Sequence, residues 1–266
     1  MDPDLTYANG AFIPNSEHFA SKWETAASSW REIENVVGRA RLNVAYGEGD
    51  RQKLDLFYPA GRPRGLLVFI HGGYWHASDR KMWSHLSAGA TAREWAVALP
   101  SYTLAPQARI TEITREIADA ITVAAALVAG PIVVTGHSAG GHLAARMACR
   151  DVDLAPPVAE RLQKVVPISP LSDLRPLLET AMNSDLQLDM AEAIAESPVL
   201  KTKLHDVQVV SWVGAEERPA FLDQARWLAD AWPGTSLRIA PGRHHFDVID
   251  ELLEPDSSLV TALLGN

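Results

Sequence analysis

Apolar and polar positions follow two rhythms from residue 41 onward. Residues 41–46 and 53–58 alternate with a period of two, as strands with unlike faces do. Residues 65–70 form a continuous apolar run instead, which suits a strand covered on both faces of a sheet. Further strand-like runs stand at 95–99, 132–135, 164–168, 207–213 and 236–240. Helical text fills the intervals near 81–93, at 111–128, from Ser138 onward and at 219–231, with a broken helical region reaching Glu196. Strands alternating with helices predict an α/β fold, a mostly parallel central sheet with helices on both faces. Pro100, Pro106, Pro131, Pro170, Pro198 and Pro233 fall at joints, where a missing N–H does no harm to a ladder.

Residues 1–40 differ. They are weakly periodic, apart from helical spacing over 18–34, and carry Tyr7, Phe12, Phe19, Trp23 and Trp30. This composition predicts an N-terminal arm or partial lid. No repeat, low-complexity segment or linker interrupts 1–266, so one domain is expected.

Composition removes several function classes. A formal charge of −9 without a basic cluster argues against nucleic acid as a partner. The single cysteine, Cys149, cannot form an internal disulfide, which fits a reduced compartment. The opening MDPDLTYANG has no apolar core of the kind a signal peptide needs. The longest apolar stretch, 120–134, is broken by Thr122 and Gly130-Pro131 and is shorter than the roughly 20 residues of a membrane span. A cytoplasmic protein acting on a small molecule is expected, with no membrane partner and with a homodimer left open.

The sharpest chemical signal is Gly136-His137-Ser138-Ala139-Gly140, after the run Ile132-Val133-Val134-Thr135 and before helical text. A G-x-S-x-G at a strand-to-helix junction makes a tight turn that holds the serine exposed at the carboxyl end of a sheet. Upstream, His71-Gly72-Gly73-Tyr74-Trp75 follows the third strand-like run. Glycines let main-chain N–H groups approach a reacting carbonyl, so Gly72 and Gly73, joined by the N–H of Ala139, are candidate oxyanion donors. Tyr74 and Trp75 beside them are candidate substrate contacts.

A serine hydroxyl is a poor nucleophile until a base takes its proton, and that base needs an orienting carboxylate. Of nine histidines, His18, His71, His76 and His85 precede the serine, His137 and His142 crowd it, and His205 precedes a strand. His244 and His245, just after the last strand-like run, remain. The acid is expected after the 207–213 strand, where Glu216 and Glu217 stand, with Asp173 after the preceding strand as the alternative. No histidine pair has the His-Glu-x-x-His spacing of a zinc hydrolase, so no metal or other cofactor is expected.

With these motifs, Tyr46-Gly47 ahead of Leu54-Asp55-Leu56-Phe57-Tyr58-Pro59, Asp173-Leu174-Arg175-Pro176-Leu177, and Ser197-Pro198, the chain resembles the kynurenine formamidase (arylformamidase) group of α/β hydrolases, near the hormone-sensitive-lipase-like esterases. The resemblance implies Ser138 as nucleophile. It selects Glu217, four residues before Phe221, over Glu216, and His245, which precedes Phe246, over His244. The group commonly has aspartate where Glu217 stands. The activity implied is hydrolysis of the formyl amide of N-formylkynurenine through a formyl-enzyme. Short-chain carboxylesterase or thioesterase activity is the alternative, and a catalytically silent binding protein the rival from another class.

Overall fold

The computed structural model describes residues 2–265. Strands β1 (Ala40–Ala45), β2 (Lys53–Phe57), β3 (Leu66–Ile70), β4 (Ala96–Pro100), β5 (Ile132–His137), β6 (Leu162–Ile168), β7 (Gln208–Gly214) and β8 (Ser236–Ala240) form one sheet in the order β1-β2-β4-β3-β5-β6-β7-β8. β2 pairs antiparallel with β1 and β4; β4 to β8 run parallel.

The apolar run of β3 is buried throughout because its residues divide between two cores. Leu66, Val68 and Ile70 join residues of helices Ile110–Leu127, Ala139–Met147 and Pro219–Ala231 on one face. Leu67 and Phe69 join Trp23, Trp83 and the terminal helix Ser258–Leu264 on the other. A parallel sheet covered on both faces brings the loops after β3, β5, β6, β7 and β8 to one carboxyl edge, where sites in such sheets form. No helix among the described residues is long and apolar enough to cross a membrane.

One expected helix changes type. The 81–93 segment is a 3₁₀ helix over Arg80–Ser87 followed by a short α-helix, Ala88–Ala92. Ser84 and Ser87 each donate a hydroxyl to the carbonyl three residues back, Lys81 and Ser84, and such local bonds compete with the regular α-helical ladder.

The N-terminal segment is seated on the body. Tyr7 packs edge-on to Phe221, and Trp23 of helix Phe19–Val36 lies 4.7 Å from Trp83. The same helix sends Arg31 to Asp55 of β2, a carboxylate with no exposed surface that also meets Arg80 Nε at 3.1 Å and accepts from the Asn43 N–H at 2.7 Å. A carboxylate so deep must be paired, so Arg31 fastens the helix to the sheet.

Candidate active site

Ser138 stands between β5 and helix Ala139–Met147 with φ 58° and ψ −117°, outside the helix it begins. A Cβ on Gly140 would run into the carbonyl oxygens of Ile70 and His71, so the elbow sits directly against the end of β3 and admits no side chain there. Gly72 is equally confined: a Cβ would lie 2.8 Å from the His137 carbonyl oxygen and 3.1 Å from Ser138 Cβ. The Gly72 main chain therefore runs alongside the serine. The Ala139 N–H belongs to the first helical residue, where no intrahelical partner exists.

Glu217 and His245 meet across the loops after β7 and β8. Glu217 Oε2 is 2.6 Å from His245 Nδ1, with the Glu217 side chain wholly buried and His245 4% exposed. The second carboxylate oxygen, Oε1, accepts from the Gly214 N–H at 2.8 Å and from the Ser169 hydroxyl at 2.5 Å. With Nδ1–H donating to the carboxylate, Nε2 is the ring nitrogen left with a free lone pair. Glu216 is exposed, its N–H tied to the Arg243 carbonyl, and Asp173 is engaged by Arg175 and Ser197. His244 accepts from the Phe246 N–H and turns to the loop. Of the alternatives the sequence left open, the geometry brings Glu217 and His245 together and leaves Glu216, Asp173 and His244 apart.

Ser138 and His245 line one cleft of about 380 Å³ together with Gly72, Gly73, Tyr74 and His137. Asn9, Gly10 and Trp23 of the N-terminal segment also wall it, with Ser78, Met82, Trp83 and Phe246 among the others. His137 lies 4.6 Å from the His245 ring; burial, and then the neighbouring imidazole, hold its pKa well below that of an ordinary histidine. A neutral His137 adds no charge beside His245.

Two expected substrate contacts separate. Tyr74 lines the cleft, its hydroxyl donating to the Tyr7 carbonyl and accepting from Asn9 Nδ2. Trp75 does not: it is wholly buried in the core, edge-on to His142 at 5.1 Å. Tyr74 and Trp75 both have positive φ, 47° and 57°, and this left-handed turn carries the indole inward, away from the cleft.

Ser169, directly after β6, went unnoticed in the sequence. Its only sequence signal is its place between the strand at 164–168 and Pro170, at the same sheet edge as the elbow. It is wholly buried, has φ 48°, and donates to Glu217. Replacing Ser169 with glycine removes the hydroxyl while suiting the left-handed backbone. The melting temperature should fall by a few degrees, since relief of the left-handed backbone offsets only part of the lost bond, while kcat falls about tenfold, the effect of one hydrogen bond to a charged group. Stopped-flow or steady-state kinetics beside a melting curve separates the two effects; a Ser169→Gly variant with wild-type kcat would assign the serine to structure alone.

Among the described residues no group of three or more His, Cys, Asp or Glu side chains is arranged to hold a metal ion. A larger cavity, about 600 Å³, lies between helices beside Arg146 and Glu196, but those buried charges satisfy each other at 3.0 Å.

A family model described as alpha/beta hydrolase fold matches residues 67–220. Kynurenine formamidase of Salmo salar is 26% identical over 256 residues, covering 90% of this chain and 86% of the relative. Kynurenine formamidase of Drosophila melanogaster is 26% identical over 261 residues, covering 91% and 86%. A crystal structure from Silicibacter sp. TM1040, provisionally described as a thioesterase, superposes with a TM-score of 0.95 at 53% identity, covering 99% of each chain.

Proposed function

The chain belongs to the alpha/beta hydrolase family and is a hydrolase, and from that premise we propose that it is a serine hydrolase that removes a formyl group from an aromatic amine, N-formylkynurenine being the substrate of reference. The observation that carries the proposal is the 2.6 Å contact between Glu217 and His245 at the wall of the cleft that Ser138 also lines.

Ser138 Oγ attacks the formyl carbon while His245 Nε2 takes the hydroxyl proton and Glu217 steadies the imidazolium through Nδ1–H. The carbonyl oxygen, now anionic, is held by main-chain N–H groups from Gly72, Gly73 and Ala139. Collapse breaks the C–N bond as His245 returns the proton to the arylamine nitrogen. Water, deprotonated by His245, then attacks the formyl ester; formate leaves and Ser138 regains its proton. No cofactor enters this sequence. The main-chain walls at Gly72 and Gly73 suit a small acyl group, and Trp23, Trp83 and Phe246 offer apolar area to an aromatic leaving group.

The Silicibacter relative favours a second reading, a short-chain thioesterase or carboxylesterase using the same groups. Specificity constants for N-formylkynurenine and p-nitrophenyl acetate decide between them. The deformylase reading expects the amide to be preferred, and a much higher kcat/KM for the ester would displace it.

A further inference from the structure

The cleft at Ser138 is walled by aromatic, small and uncharged polar groups, with His137 and His245 its only titratable side chains besides Tyr74. An amino-acid leaving group would bring an α-ammonium and an α-carboxylate, and nothing in those walls answers either. Across Ser78 and Met82, which line both spaces, lies a second groove of about 530 Å³. Its walls include Glu24, Arg31, Asp79 and Lys81. Arg31 is committed to Asp55 and Ser84, and Asp79 to Ser101 and the Lys81 N–H. That leaves Glu24 and Lys81, whose side chains form no ion pair or hydrogen bond among the described residues.

The groove and the reaction cleft share a wall. Trp23 walls the cleft and Glu24 the groove; Lys81 walls the groove and Met82 both. The divide between them is held in place, since Ser78 Oγ accepts from Trp83 Nε1 at 2.8 Å and the Ser78 carbonyl accepts from Arg51 Nη2 at 2.6 Å.

We propose that this groove is the subsite for the zwitterionic end of an aromatic α-amino acid leaving group, Lys81 facing the carboxylate and Glu24 the ammonium while the ring stays among Trp23, Trp83 and Phe246. The inference deepens the proposed function and rests on it for the identity of the reaction, but the binding it describes is measurable without turnover. Both charges are exposed to water, so the gain is modest, about fivefold in affinity, as for a solvent-exposed ion pair.

Calorimetric titration of the whole protein with kynurenine and with 2-aminoacetophenone tests it, since the second has the same ring and ketone without the amino-acid group. Kynurenine should bind about fivefold more tightly. Lys81→Ala and Glu24→Gln should each bring its affinity toward that of the neutral analogue, whose own affinity stays put. Equal affinities of the two compounds for the wild-type protein, or a preference that survives both substitutions, would overturn the proposal. The wild-type comparison needs no variant to fold. Loss of deformylation with the preference intact would sink the reaction assigned above and leave the groove standing; intact deformylation with equal affinities does the reverse.

Discussion

Replacing Ser138 with alanine should abolish covalent labelling by a fluorophosphonate and lower kcat by a factor on the order of 10⁴–10⁶, with little change in melting temperature. The size follows from what is lost: without the hydroxyl there is no acyl-enzyme, and only cleft binding and main-chain donors remain to assist water. The side chain is small and stands at the cleft wall, so its truncation opens little void. Mass spectrometry of the probe-treated protein gives the direct readout. Undiminished labelling of the alanine variant would remove Ser138 from the mechanism, and with it the oxyanion role given to Gly72 and Gly73.

The second large effect is expected at Glu217→Gln, about 10³–10⁴ in kcat, through the histidine's tautomer rather than through charge alone. Oε1 of Glu217 sits where two donors converge, the Gly214 N–H and the Ser169 hydroxyl. A glutamine is best placed with its carbonyl oxygen there, because an amide NH₂ would face the Gly214 N–H, which can only donate, even with the Ser169 hydroxyl turned to accept. Its NH₂ then occupies the Oε2 position and donates to His245 Nδ1, which moves the ring proton to Nε2 and leaves no lone pair toward the serine. Glu216→Gln, on an exposed side chain, should turn over within about twofold of wild type, as surface changes away from a site generally do. Equal small losses at both positions, read from kcat, would return the acid role to open question.

Much of the fold was legible because the sheet is covered on both faces. The run at 65–70 could not be mistaken for an amphipathic element, and in the structure its residues do alternate between two separate cores. The elbow was legible because its glycines answer a local steric demand, the close approach of β3 at Gly140. The choice between Glu216 and Glu217 was not, from spacing alone: neighbouring side chains in a turn diverge, and only the resemblance singled out the second. The place of Trp75 was illegible for the same reason, since two successive left-handed residues redirect a side chain that the sequence shows only as adjacent to Gly72-Gly73. Ser169 left no pattern because its partner lies 48 residues on, joined only by the packing of β6 against β7. The helix at 81–93 tightened into 3₁₀ turns through serine hydroxyls that propensity weighs only weakly.

The cleft draws Asn9, Gly10 and Trp23 from the first part of the chain, Ser138 from its middle and His245 from near its end. A ribosome adding roughly 5–20 residues per second emits the serine several seconds before the imidazole that faces the same space, and the acid only shortly ahead of the imidazole. During that interval the emerging protein carries the 136–140 elbow without the His245 imidazole beside it. On the proposed mechanism, a nascent chain that has not yet reached residue 245 carries the nucleophile without its base, whatever part of the sheet it has assembled.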